Sequence, residues 1–146
     1  MEGTDCSLPV EVEGAETIAR LFVSPFHIKK NKPIPTAFRP TDTTDEVSVI
    51  RLTHMGKEFC DAKGLELELA KPKELSPKYQ GFGSAKVNDV RGLGHEVFDS
   101  RIQYCGHGHI SIGIVLSKAE PLPSEEMARL HDICKKLRDL FGFEKK

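Results

Sequence analysis

The alternation of apolar and polar positions is most regular from residue 101 to 116, RIQYCGHGHISIGIVL. Because successive side chains of a strand point to opposite faces, this pattern predicts one long strand with two different faces. One face is apolar apart from two glycines and a tyrosine hydroxyl: Ile102, Tyr104, Gly106, Gly108, Ile110, Ile112, Ile114 and Leu116. The other face begins with six side chains that can donate or accept a proton: Arg101, Gln103, Cys105, His107, His109 and Ser111. The stretch therefore supplies both a core strand and the first candidate site.

The patterns on either side predict further strands and helices. Strands are predicted at 18–23, 46–52, 65–69 and 96–98. Helices are predicted at 53–63, 84–91 and 124–141. Gly64 is the expected end of the first helix, and Ser124 is the expected N-cap of the last. Irregular segments are predicted where proline and glycine interrupt any period, at 1–15, 26–40 and 75–83.

The length and composition of the chain are those of one globular domain. It has 146 residues, of which 38% are hydrophobic and 29% are charged. We therefore predict a single α+β domain spanning 1–146, with a mainly antiparallel sheet of about four to six strands. The strand at 101–116 is expected to be central, and the helix at 124–141 to cover one face of the sheet.

Charge, hydropathy and cysteine spacing favour a cytoplasmic protein. The net charge of −1 gives no electrostatic case for non-specific binding to nucleic acid or to a membrane, although local patches can differ from the total. No apolar run approaches the length of a membrane span, and the acidic N-terminal stretch lacks the pattern of a signal peptide. The four cysteines contain no CxxC pair, which predicts free thiols.

His107 and His109 form an HxH pair on the polar face of the predicted strand. Residues two apart on a strand project to the same side, so both rings can reach one metal ion or one phosphate. A divalent metal site needs a third ligand. The candidates are Cys105 on the same face and three distant histidines, His27, His54 and His95. The alternative is that the two histidines are hydrogen-bonded residues on the solvated side of a sheet.

His109 and Ser111 also match the H-x-[ST] element of the two-histidine phosphoesterases. In that chemistry a histidine acts as acid or base while the hydroxyl holds a phosphate oxygen. Such proteins carry two copies of the element, and this sequence contains no second one. His107 and His109 are nevertheless the candidate catalytic residues.

Four further residues are candidates for ligand binding: Arg51, Arg101, Cys105 and Ser111. Arg51 lies in an apolar run, where a guanidinium suits a carboxylate or a phosphate. Cys105 has His107 on its face and could be activated as a nucleophile, although most such cysteines are inert. The basic loop HIKKNK, with Phe26 and Phe38 nearby, could contact an acidic partner or RNA.

Several motifs follow one another in a distinctive order: Arg20, TAFRP around Phe38, EVSVIR with Ser48, YQGFGSAKVNDVRGLG, and His109 in HGHIS. This order, over most of residues 18–116, resembles a group of small bacterial proteins of uncharacterised function. The chain departs from that group where Asp99-Ser100 stands in place of an Asp-Pro pair. The resemblance implies one compact fold and brings no activity with it.

Three functions are open at this point. The first is a cytoplasmic binding or interaction module of a bacterial toxin or defence system, with a protein or a small phosphorylated molecule as its partner. The second is a histidine-dependent hydrolase or transferase acting on a phosphoester or nucleotide. The third is a metal-binding protein using the HxH strand. The sequence contains no complete catalytic motif, which favours the binding module.

Overall fold

The computed structural model describes residues 6–146, which form an antiparallel sheet of six strands with helices on both faces. The strands of this sheet are β1 (Thr17–Ser24), β4 (Thr44–Ile50), β5 (Lys78–Lys86), β6 (Glu96–Asp99), β7 (His107–Leu116) and β8 (Gly142–Lys145), and a separate hairpin consists of β2 (Ile28–Lys29) and β3 (Lys32–Pro33). The helices are α1 (Leu52–Met55), α2 (Lys57–Ala70), α3 (Val87–Gly92) and α4 (Ser124–Leu140). The strand order is β6-β7-β4-β1-β5-β8. The predicted α+β class is confirmed.

The larger core lies between the sheet and α4. Alternate residues of β7 point into it, because Ile110, Ile112 and Ile114 are buried while the residues between them are not. From α4, Leu130 and Leu137 complete this core. The apolar face predicted for β7 and the helix predicted to cover the sheet are therefore confirmed. The expected cap is wrong, because Ser124 is the first helical residue and the N-cap position is Pro123, which makes no side-chain cap hydrogen bond.

The smaller core lies under α1 and α2 on the opposite face, and it corrects one prediction. The segment 65–69 belongs to α2 and is not a strand. Gly64 does not end the helix; it packs on Tyr79, whose ring carbon Cε1 would lie 2.3 Å from any added Cβ. Leucine and glutamate both favour helices, so their alternation is a weak strand signal.

The stretch 101–116 is not one strand, because β7 begins only at His107. Residues 100–106 form a turn that ends at Gly106, whose φ of +97° favours glycine. Arg101 and Cys105 therefore lie in this turn and do not share a strand face with the histidines. Nor is β7 central; it is next to the edge strand β6, and the central strands are β4 and β1.

The C-terminal half of the sheet differs from its sequence pattern. Residues predicted as a loop at 75–83 and a helix at 84–91 form the long strand β5, with only a short α3 after it. Its glycines allow close approach: a Cβ on Gly83 would lie 2.9 Å from the ring of Phe22. The short strand β8 was not predicted. None of the helices in residues 6–146 combines the length and the apolar composition that crossing a membrane requires.

Candidate ligand-binding site

The sheet opens between its two central strands. β1 pairs with β4 only at Ala19 and Ile50, whereas it pairs with β5 along its whole length. Beyond that pair the guanidinium of Arg20 takes the place of backbone hydrogen bonds between the strands. Its Nε donates to the carbonyl of Ala37 and its Nη1 donates to the carbonyl of Ser48, both at 2.9 Å. An arginine side chain thus holds the two strands at a distance that their backbones do not bridge.

His27 closes the wide end of this opening. Its ring nitrogen Nδ1 accepts a hydrogen bond of 2.9 Å from the backbone N–H of Val23. The backbone N–H of His27 in turn donates to the carbonyl of Val23 at 3.0 Å. Because Nδ1 is an acceptor, the neutral ring carries its proton on Nε2. Burial, together with the charges of Arg20 and Lys71, lowers the pKa of His27 to about 3. The ring is therefore neutral at pH 7.

The opening and the overlying helix α2 enclose a cavity of about 450 Å³. Its walls are formed by the central strands, by α2 and by the turn before β7: Ala19, Arg20, Leu21, His27, Ser48, Val49, Ile50, Lys63, Glu66, Leu67, Lys71, Tyr104 and His107. This volume lies within the range of small-molecule sites, which is about 300–1,000 Å³. The cavity is thus large enough for a ligand of nucleotide size.

Cations outnumber anions along the cavity. Arg20, Lys63 and Lys71 line it, against Glu66 alone. Burial lowers the pKa of Arg20 to about 10, which leaves it charged at neutral pH. Burial, and then the charge of Arg20, lowers the pKa of Lys71. Lys63 Nζ lies 3.6 Å from Glu66 and 4.2 Å from the centre of the Tyr104 ring. The excess of positive charge favours an anionic ligand.

His107 lines the cavity with one hydrogen-bonding atom unused. Among the described residues, nothing accepts from or donates to its buried Nδ1. Buried polar atoms nearly always have a partner, so this nitrogen is an exception among the side chains that line the cavity. Burial, with a smaller contribution from His109, lowers the pKa of His107 to about 4. Its ring stands edge-on to Tyr104, with the centroids 5.0 Å apart.

His109 lies outside the cavity, although it follows His107 on the same face of β7. Its Nδ1 lies 2.7 Å from the hydroxyl of Ser100, and its Nε2 lies 3.6 Å from Glu46. The side chain of Phe98 packs against its ring. The two histidines therefore occupy separate surroundings, and the structure does not bring them to one ligand.

No set of three His, Cys, Asp or Glu side chains in residues 6–146 is arranged to hold a metal ion. Of the candidate third ligands, Cys105 is in a disulfide, His27 is in the sheet opening and His54 lies 3.6 Å from Glu16. His95 precedes β6. The HxH prediction thus gains no third ligand.

Arg51 is an internal ion-pairing residue rather than an exposed ligand contact. Its side chain is fully buried, and its Nε and Nη2 donate to the two carboxylate oxygens of Glu16 at 2.9 and 2.8 Å. Its Nη1 donates to Asp99 at 2.7 Å and also to the carbonyl of Pro9. The carboxylate partner expected from its sequence context thus belongs to the chain itself.

Arg101 and Cys105 hold the same N-terminal segment in place. Arg101 donates to Asp99 at 2.8 Å and to the carbonyl of Leu8 at 2.8 Å. Cys105 forms a disulfide with Cys6, at a separation of 99 residues. The prediction of four free thiols is wrong for this pair, because a partner so distant in sequence leaves no spacing signal. Cys60 and Cys134 are free and buried.

Ser111 is also remote from the cavity. Its hydroxyl donates to Asp45, which accepts a second hydrogen bond from the N–H of Gly113 at 2.9 Å. The hydroxyl predicted to hold a phosphate therefore fastens the far end of β7 to the start of β4. Of the predicted catalytic and ligand-binding residues, only His107 lines the cavity; His27, a candidate third metal ligand, lines it too.

The sequence pattern does not reveal most of the cavity. Arg20 carries a signal, because it is the one charged residue in the apolar run of β1. Lys63 lies in α2, and Lys71 is the extended residue directly after that helix. A helix predicted to end at Gly64 does not bring these two lysines together. No protein-family model, curated protein or solved structure matches the chain, so the site is interpreted from its own geometry.

Proposed function

We propose that the protein binds a small phosphorylated molecule in the cavity between β1 and β4. The observation that carries this proposal is a cavity lined by three cationic side chains and only one carboxylate. A phosphate group combines negative charge with several acceptor oxygens, and the cavity offers mainly donors. Charge-assisted hydrogen bonds of this kind are stronger than neutral ones, especially in a half-enclosed site.

The backbone adds to the donors of the side chains. The N–H of Thr17 donates to the side chain of Thr53, and the backbone groups of Val23 bond to His27, so alternate residues of β1 turn their backbones toward β4. Leu21 lies between Thr17 and Val23 in the same alternation along β1, so its backbone groups also face the opening. His27 contributes an Nε2–H, and Arg20 and Lys71 contribute charge. All of these groups favour an acceptor-rich anion.

The protonation states favour binding over catalysis. General acid–base chemistry works best when the pKa of the catalytic group lies near the working pH. The pKa of His27 is lowered to about 3 and that of His107 to about 4. At pH 7 both rings are therefore neutral, and neither can act as a general acid. His109, the other candidate acid or base, lies outside the cavity. A ligand-binding module is therefore proposed ahead of a phosphoester hydrolase.

The thermal unfolding midpoint tests this function. A ligand that binds only the folded state stabilises it by RT ln(1 + L/Kd), where L is the ligand concentration, so the midpoint rises with the logarithm of that concentration once it exceeds Kd. Thymidine 5′-monophosphate and inorganic phosphate are expected to raise it, whereas thymidine and sodium chloride of matched ionic strength are not. Lys71→Met should need roughly tenfold more ligand for the same rise of the midpoint. The variant loses one charged contact, and a tenfold change in affinity corresponds to about 1.4 kcal/mol.

Lys57→Met is the matched control, because Lys57 is an exposed lysine at the start of α2 that does not line the cavity. Equal effects of thymidine and its monophosphate, or equal responses of Lys71→Met and the wild type, would overturn the proposal.

We propose the cytoplasm as the compartment. Disulfides are uncommon there, so the redox state of Cys6 and Cys105 in cell extracts tests that placement.

A further inference from the structure

The hairpin β2–β3 continues the positive charge of the cavity onto the surface. We propose that the phosphorylated ligand is the terminal nucleotide of a single-stranded nucleic acid, and that the next phosphates of the strand lie along Lys29, Lys30 and Lys32. This inference rests on the proposed function and adds the chemical class of the ligand. It has three supports: the charge distribution, the attachment of the hairpin and the two unlike ends of the cavity.

The stretch of chain that forms β1 and the hairpin carries positive charge only. Residues 17–41 contain five basic side chains and no Asp or Glu: Arg20, Lys29, Lys30, Lys32 and Arg39. The whole chain carries a net charge of −1, so the remainder has a net negative charge. This uneven distribution favours the approach of a polyanion to the hairpin.

The hairpin is attached directly to the wall of the cavity. The N–H of Ile34 donates to the carbonyl of His27 at 2.9 Å, which closes the base of the hairpin on the residue that ends the cavity. Lys30 and Asn31 have φ values of +53° and +64°, as in the tight two-residue turns of hairpins. The buried side chain of Ile28 anchors it. The exposed lysines are thus held beside the opening.

The two ends of the cavity differ in a way that suits a nucleotide. Lys63 lies in α2, and Lys71 is the residue directly after the end of that helix, eight positions further on and about 12 Å along its axis. Near Lys63 lie the rings of Tyr104 and His107, which offer a surface for a base. Near Lys71 lie the charge of Arg20 and His27, and the hairpin starts there. A nucleotide fits both ends of the cavity if its base lies at the aromatic end and the phosphate backbone exits at the cationic end.

Fluorescence anisotropy of a short oligothymidine tests the inference. The triple variant Lys29→Glu, Lys30→Glu, Lys32→Glu is compared with Lys135→Glu, Lys136→Glu, which reverses exposed charges on α4. We expect the oligonucleotide to bind the wild type more tightly than thymidine 5′-monophosphate does. The hairpin variant should lose this advantage, and its slope of log affinity against log salt should fall by about two units, since each phosphate contact contributes about 0.7.

The monophosphate separates failure of this inference from failure of the proposed function. If the monophosphate binds every variant equally while the oligonucleotide gains nothing from the hairpin lysines, the nucleic-acid inference is overturned and the cavity stands. If neither binds, both fail. A circular oligothymidine should bind poorly, because it has no end to insert. Equal binding of the circle, or of polyglutamate, would also overturn the inference.

Discussion

At the scale of single residues, Arg51 is a fully buried cation held by two carboxylates and two backbone carbonyls. Burial alone would raise the pKa of Glu16 and of Asp99, yet hydrogen bonds from Arg51 and Arg101 outweigh it, and both pKa values are lowered. The charges therefore compensate one another in the interior. A network of this kind is costly to break, because removing one member leaves the others buried and unpaired.

Arg51→Met tests this network. The variant leaves the buried carboxylate of Glu16 without its arginine, leaves Asp99 paired with Arg101 alone, and removes the hydrogen bonds from Arg51 to the carbonyls of Pro9 and Glu11. We expect the free energy of unfolding to fall by about 3–5 kcal/mol in urea titrations. Arg138→Met removes a largely exposed pair with Asp139 and should cost less than about 1 kcal/mol. Similar losses for the two variants would contradict an interior role for Arg51.

The buried histidines make stability depend on pH. The pKa of His27 is lowered from 6.5 to about 3, so between these values the unfolded state binds the proton that the folded state refuses. Stability is therefore complete above pH 6.5 and is lost as the pH falls, with a slope approaching about 1.4 kcal/mol per pH unit. His27→Asn preserves an acceptor for the N–H of Val23 and should reduce the slope by roughly half between pH 6.5 and about 4.5, where the buried carboxylates are still ionised, because His107, whose pKa is lowered to about 4, contributes the remainder. A wild-type unfolding midpoint that is constant over that range would show that His27 is protonated in the fold.

Residue-scale prediction from the sequence succeeded where the answer depended on local alternation. His107 was placed on the polar face opposite Ile110, and the structure agrees. It was wrong for the thiol of Cys105, which is bonded to the distant Cys6, and it did not name Glu16 as the carboxylate partner of Arg51. The type of a side chain determines which groups it can bind, but the fold determines which groups lie near it.

At the scale of elements, α2 shows how packing overrides a local signal. Gly64 is buried in the middle of the helix, against the ring of Tyr79, whose hydroxyl donates to Asp61 at 2.9 Å. A glycine is unfavourable in a helix by about 1 kcal/mol. Its presence here is explained by the ring, since any Cβ would overlap with it.

Gly64→Ala tests that explanation. Helix propensity alone predicts a gain of stability, but the overlap with Tyr79 should prevail and cost about 1–3 kcal/mol. Gly92→Ala is the control, because an added Cβ at the end of α3 meets nothing within 4 Å. It should be neutral or slightly stabilising in the same denaturant titration. A gain of stability for Gly64→Ala would mean that the glycine is not required by packing.

Element prediction followed the strength of the periodic signal. β1, β4, β6 and α4 were found within a few residues because each has a dense apolar run or a clear helical stripe. β5 was missed because glycines interrupt it, and these glycines are required by close neighbours such as Phe22. A residue that breaks a pattern can thus serve packing that only the folded molecule reveals.

At the scale of the whole molecule, the N-terminal segment is held by side chains rather than by a backbone ladder. Arg51, Arg91 and Arg101 donate to its carbonyls, and the Cys6–Cys105 disulfide joins it to the turn before β7. That turn also carries Tyr104, which lines the cavity. The segment therefore supports the cavity from outside, and no sequence pattern predicts such long-range support.

Reduction of the disulfide tests this support. A cross-link spanning 99 residues restricts the unfolded chain, and the chain-entropy model gives about 4–5 kcal/mol for a loop of that size. We expect a reducing agent to lower the unfolding midpoint of the wild type and to leave the double variant Cys6→Ser, Cys105→Ser unchanged. The arginine contacts remain in the reduced protein, so it should stay folded at low temperature and still bind thymidine 5′-monophosphate, more weakly because Tyr104 is less restrained. Equal midpoints with and without reductant would contradict the cross-link, and an unaltered affinity in the double variant would show that the arginines alone position the cavity wall.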